Sequence, residues 1–188
     1  MMTDQEEARA IAKQMAAEAN AIVIMCHTKT KGLMGDIVSC LLSRLGCRTA
    51  ASDQVVKAIH EAKEAASELG STNPIVCINH SRGNLYTNAA LCGLDSETRS
   101  NLTLIGIGSP ILRYSSDVGR REFYISEKDW IPMFSAPIDR IRAGHDMMPN
   151  VHILPSSSSW WQCDHSIQGK TYQGALQKIY GDMQEGKL

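Results

Sequence analysis

The sequence predicts a three-layer α/β sandwich built on a mainly parallel sheet, in one domain spanning residues 1–188. Short apolar runs alternate with longer segments of helical periodicity along the whole chain. Several of those runs are apolar without alternation, the pattern of a strand covered on both faces. A chain of 188 residues that is 43% apolar can also bury a core without disulfide or metal staples.

Residues 3–19 read as a helix, with Thr3 and Glu6 as a capping box and Ala8, Ile11, Met15 and Ala16 as one stripe. Ala21-Ile22-Val23-Ile24-Met25-Cys26 reads as the first strand, buried on both faces. A loop follows over residues 27–34, and a helix runs from Gly35-Asp36 to about Leu45, ended by Gly46. Residues 53–69 form a second long helix, with Val55, Ile59, Ala62, Ala66 and Leu69 on its apolar face and Gly70 at its end. Asn73-Pro74 breaks the chain before a strand over residues 75–79. A tight turn then leads into a helix over 83–91, and Asp95–Ser100 reads as a turn or a helical start. Further strands cover 102–108, 121–126 and 150–154, and a closing helix covers 168–184. The total is five strands, with no internal repeat and no linker.

Composition excludes several classes. The net charge of -1 and a pI near 6.6 supply no bulk attraction for nucleic acid, and Lys29 with Lys31 is too small a cluster to alter that. Met1-Met2-Thr3-Asp4-Gln5-Glu6-Glu7 is acidic and polar, unlike a Sec-type signal, and no apolar run reaches the roughly 20 residues of a membrane span. The cysteines show no CxxC spacing; Cys26, Cys40, Cys77 and Cys92 lie in apolar segments and read as buried reduced thiols, which fits a cytoplasmic protein. Cys163-Asp164-His165 has no second ligand pair, so no metal is expected. Gly106-x-Gly108 lacks the third glycine of a dinucleotide fingerprint and no phosphate loop occurs, so no organic cofactor is expected either.

The motif that carries chemistry is Asn79-His80-Ser81-Arg82-Gly83, placed between the strand Ile75–Ile78 and the helix Asn84–Leu91. A serine on a sharp strand-to-helix corner exposes its hydroxyl above the sheet, and the first helical N–H groups can hold an oxyanion. In parallel sheets the working groups gather at the carboxyl ends of strands. Ser81, Asp129, His165 and Thr28 all meet that condition. A serine hydroxyl needs a base, and an imidazole base needs a carboxylate to hold its tautomer. We therefore expect Ser81 as nucleophile, His165 as general base and Asp129 as orienter. The oxyanion would meet the N–H of Arg82 and one near Thr28. His145 and His152 compete for the base, and Asp117, Glu127 and Asp139 for the acid. His80 is expected to point away from the site as a structural residue.

The stretch Ile75-Val76-Cys77-Ile78-Asn79-His80-Ser81-Arg82-Gly83-Asn84, followed by Leu104-Ile105-Gly106-Ile107-Gly108-Ser109-Pro110, resembles the α/β-hydrolases of the lipase/esterase type. Lys31-Gly32-Leu33-Met34-Gly35-Asp36 is similar to the oxyanion-loop stretch of some bacterial members. The resemblance covers residues 20–185. It implies a small serine hydrolase that cleaves an ester, thioester or lipid-like acyl substrate through an acyl-enzyme, with its base ahead of the closing helix, at His165. Two departures stand out. Asn79 occupies the first glycine of G-x-S-x-G, a position crowded by the following helix. The sheet is also short for the family, so an exposed edge would need cover, such as a second subunit in a homo-oligomer. Leu33, Met34, Ile111, Leu112, Trp130, Met133 and Phe134 could line an acyl pocket, and Trp160-Trp161 reads as either a flap or core. The alternative is a catalytically inactive domain of the same fold that binds a ligand or partner.

Overall fold

The computed structural model describes residues 5–27, 47–112, 117–129, 150–156 and 164–188. The elements in order are α1 (Gln5–Ala19), α2 (Ala50–Glu68), β1 (Ile75–His80), α3 (Gly83–Leu91), α4 (Ser96–Ser100), β2 (Leu102–Ile107), β3 (Arg120–Ser126), β4 (Val151–Leu154) and α5 (Lys170–Gln184). The four strands form one sheet in the order β1-β2-β3-β4, every pair parallel. Ile78 lies opposite Ile105, Ile107 opposite Tyr124, and Ser126 opposite Leu154. The ends that matter chemically therefore emerge on one edge of the sheet.

Strand alternation divides the core into two layers. Leu102 and Leu104 of β2 and Phe123 of β3 face Ile59 of α2 and Leu85 and Leu91 of α3. Ile105, Ile107 and Tyr124 face Ala19 of α1 and Tyr172, Leu176 and Ile179 of α5. The result is the expected sandwich of helix, sheet and helix. All of β2 is buried, which explains why its sequence is apolar rather than alternating. Each fully buried Leu or Ile contributes roughly 2 kcal/mol of transfer free energy.

The helix ends have local causes. Thr49 caps α2: its side chain accepts from the Ser52 N–H, and the Ser52 hydroxyl accepts from the Thr49 N–H. This box starts the helix before residue 53, where the apolar stripe alone placed it. Leu69 falls at the C-cap and is 69% exposed, not part of the buried face. Asp95 caps α4 through the Thr98 N–H. Beyond α1, Asn20 has φ 49 and the Ala21 N–H reaches the Ala16 carbonyl, a Schellman-type stop.

The expected first strand is overturned. Residues 21–27 carry no regular secondary structure, and Ile22 is 67% exposed. An apolar run becomes a strand only when a neighbour accepts its backbone hydrogen bonds, and this one pairs with no strand among the described residues. The sheet described has four strands rather than five. The thiol expectation also changes: Cys26 and Cys92 are exposed, while Cys77 is half-buried within the sheet. The expected helix from Gly35 to Leu45, the Thr3 cap and Cys40 lie outside the described residues. No helix among the described residues is long and apolar enough to cross a membrane.

Candidate active site

The site begins where β1 ends. Ser81 adopts φ 52, a left-handed conformation that costs a residue with a Cβ on the order of 1–2 kcal/mol. The corner is held on both sides. The Ser81 N–H donates to the Ile107 carbonyl at 2.9 Å. The buried Asn84 amide donates to the carbonyls of Asn79 and Ser81 at 3.1 and 3.0 Å. These bonds over-determine a turn that the backbone alone would avoid, and the strained serine hydroxyl is thereby presented above the strand ends.

Asn79 is accommodated rather than tolerated. Its Oδ1 accepts from the Thr87 hydroxyl at 2.8 Å and its Nδ2 donates to the Cys77 carbonyl at 3.3 Å. Thr87, one turn into α3, converts the crowding at this position into a hydrogen bond. Close packing elsewhere falls on β2: a Cβ on Gly106 would sit 2.6 Å from Asn84 Oδ1 and 2.6 Å from the Phe123 ring.

Ser81, His165 and Asp129 are joined in one hydrogen-bonded chain. Ser81 Oγ lies 2.8 Å from His165 Nε2, and His165 Nδ1 lies 2.7 Å from Asp129 Oδ2. The carboxylate can only accept, so Nδ1 carries the proton and Nε2 presents its lone pair to the serine hydroxyl. Asp129 is fully buried, on a turn whose N–H donates to the Ser126 carbonyl. The His165 side chain is 21% exposed, so the imidazole keeps some contact with solvent. Gly108 passes beneath the pair at φ +54; a Cβ there would lie 2.9 Å from Asp129 Oδ2 and 3.2 Å from the imidazole.

Further residues surround this chain. Tyr172, buried on α5, donates its hydroxyl to Asp129 Oδ2 at 2.6 Å and accepts the Ser126 N–H at 3.1 Å. Burial and the Asp129 carboxylate together push that phenol well above its ordinary pKa. Asp164, next to His165 in sequence, is buried; its Oδ2 accepts from Thr171, Ser126 and Ser156 hydroxyls at 2.6, 2.7 and 3.1 Å. Burial pushes the Asp164 carboxyl up, but the three hydroxyl donors outweigh it and leave the group below the usual carboxylate range.

His80 does not point away as expected. Its Nε2–H donates to the His165 carbonyl at 2.8 Å, and the two rings stand 5.0 Å apart. Burial, reinforced by the neighbouring His165, pushes the His80 imidazole down to about 4, so it is neutral near pH 7. Cys77 behind the turn is pushed up to about 12 by burial and is an unreactive thiol.

Arg82 occupies the N-cap of α3 with helical backbone angles, the place the oxyanion reading needs for its N–H. Thr28, the other half of that reading, lies outside the described residues, as do His145, Trp160 and Trp161. So do Leu33, Met34, Trp130, Met133 and Phe134 of the expected acyl pocket. Ile111 and Leu112, the described members of that set, are buried in the same hydrophobic cluster as Ile59, Leu85 and Leu91. His152 is a strand residue of β4, stacked on Tyr124 at 4.6 Å and paired with Glu122. Among the described residues no group of three metal-ligating side chains occurs.

Sequence reasoning missed Tyr172, Ser126 and the role of Asp164. The adjacency of Asp164 to His165 was the one available signal. For Tyr172 there was none, because only folding brings α5 across the end of β3. No protein-family model matches the chain, and no curated protein or solved structure does either.

Proposed function

We propose that the protein is a serine hydrolase of α/β-hydrolase type that cleaves an ester, thioester or lipid-like acyl substrate. The observation that carries the reading is the continuous hydrogen-bonded chain Ser81–His165–Asp129, with the serine on a strained corner ahead of a helix. In this reading Ser81 Oγ attacks the acyl carbonyl as its proton passes to His165 Nε2. The oxyanion that forms is held by the Arg82 N–H. The imidazolium, stabilised by Asp129, then gives its proton to the departing alcohol or thiol. Water attacks the acyl-serine in the second half, loses its proton to His165, and Ser81 Oγ leaves with that proton restored. Asp129 remains a carboxylate throughout. No step calls on a metal or an organic cofactor. A cytoplasmic location and a second copy covering a sheet edge belong to the same reading.

The test is labelling of the purified chain with a fluorophosphonate, read by intact mass and peptide mapping. The expected result is one adduct, on Ser81, absent from Ser81→Ala and formed at least about a thousandfold more slowly in His165→Ala. A folded protein that takes no adduct at any pH would replace this reading with that of a non-catalytic binding domain.

A further inference from the structure

We propose that Tyr172 is a positioning residue that sets the proton affinity of His165 by sharing the Asp129 oxygen on which His165 depends. The inference rests on the hydrolase reading for its consequence, but its physical content is a coupling between two side chains that can be measured without turnover.

The geometry is specific. Asp129 Oδ2 receives two donors, His165 Nδ1 at 2.7 Å and the Tyr172 hydroxyl at 2.6 Å. The direction of the second bond is settled by a third: the Ser126 N–H donates to the Tyr172 oxygen at 3.1 Å. With its lone pair so engaged, the phenol turns its proton to the carboxylate. The phenol is fully buried and its pKa lies far above neutrality, so it remains a donor at every working pH. A charge-assisted bond to a buried carboxylate is roughly twice as strong as a neutral one. Negative charge that Oδ2 gives to Tyr172 is not available to hold an imidazolium. Tyr172 thus keeps His165 a weaker base than an Asp–His pair alone would make it.

Other charged or titratable groups face this pair. His80 at the end of β1 bonds the His165 carbonyl and is neutral near pH 7. Asp164 acts on Tyr172 through space from the His165 loop, and Lys128 acts on Asp164. All three are retained in the variants below, so a shift between variants reports Tyr172 alone.

The experiment follows the His165 imidazole by NMR across pH, in the full chain with ring-labelled histidine. It compares the wild type, Tyr172→Phe, and a protein with 3-fluorotyrosine placed at position 172. Removing the hydroxyl leaves more charge facing His165, so its titration midpoint rises, by roughly half to one pH unit. The fluorinated phenol is a stronger donor and keeps the acceptor for Ser126, so the midpoint falls. The fluorophosphonate labelling rate, measured against pH in the same proteins, moves its acid limb in the same two directions. Coincident midpoints in the three proteins overturn the proposal, as does a lower labelling plateau with an unmoved acid limb, which is a purely structural role. Should Tyr172→Phe not fold, the fluorotyrosine protein decides by its sign. A wild type that takes no label overturns the hydrolase reading alone, because the NMR midpoints still report the coupling.

Discussion

Ser81 stands at φ 52 because its neighbours leave it no alternative. The Asn84 amide, the Ile107 carbonyl and the Thr87–Asn79 bond each remove one way for the turn to relax. Gly108 is the converse case, a residue chosen for what it lacks. A methyl group there would meet Asp129 and His165 and would also have to adopt φ +54. Gly108→Ala is therefore expected to cost roughly 2 kcal/mol or more in urea unfolding and to slow fluorophosphonate labelling at pH 7. Equal stability and equal labelling would mean that the pair moves aside freely. The Ser81 corner was legible from residues 75–84 because strand, turn and helix are contiguous there. Gly108 was legible only as the end of a strand, since its partners come from positions 129 and 165.

At the scale of elements, α5 and the loop before it do more than close the sheet. Thr171 and Tyr172, in the first turn of α5, reach two different carboxylates, Asp164 and Asp129. Asp164 in turn ties the ends of β3 and β4 to the helix through Ser126 and Ser156. The histidine loop is thus held from three elements at one oxygen. Asp164→Asn keeps the shape but gives the hydroxyls a poorer acceptor and one competing donor. It is expected to lower stability by about 1–3 kcal/mol and to slow labelling about tenfold or more, because His165 is no longer held in register with Ser81. Unchanged labelling with lowered stability would show that the loop orients itself without this anchor. Element boundaries were readable where a local signal exists, as for α3 and the centre of β2. They were misread where the signal is a reciprocal side-chain cap, as at Thr49 and Ser52, or where a run lacks a partner, as at residues 21–27.

For the whole molecule, His80 links the site to acid stability. Its pKa falls from 6.5 to about 4 on folding, so between those values the unfolded chain binds more protons than the native one. Stability is then fully present above pH 6.5 and drains as pH falls toward 4. The loss has an upper bound on the order of 3 kcal/mol. His80→Gln keeps a donor for the His165 carbonyl but does not titrate. Urea melts at several pH values in that window should show a flatter acid slope for the variant, and parallel slopes would remove His80 as the source. The linear pattern was enough for the class of fold, because β2 is apolar at consecutive positions and helical stripes recur between strands. It also marked the strand-to-helix corner at Ser81, because that corner is a local object. It could single out His165 and Asp129 only among competitors, since nothing in a linear pattern measures the distance between residues 81, 129 and 165. Tertiary structure decided that they meet, that Tyr172 and Asp164 stand behind them, and that the Ala21–Cys26 run stays out of the sheet. The physical reason is common to all: a hydrogen bond depends on separations of about 3 Å between atoms distant in the chain, and only the packed sheet and helices set those separations.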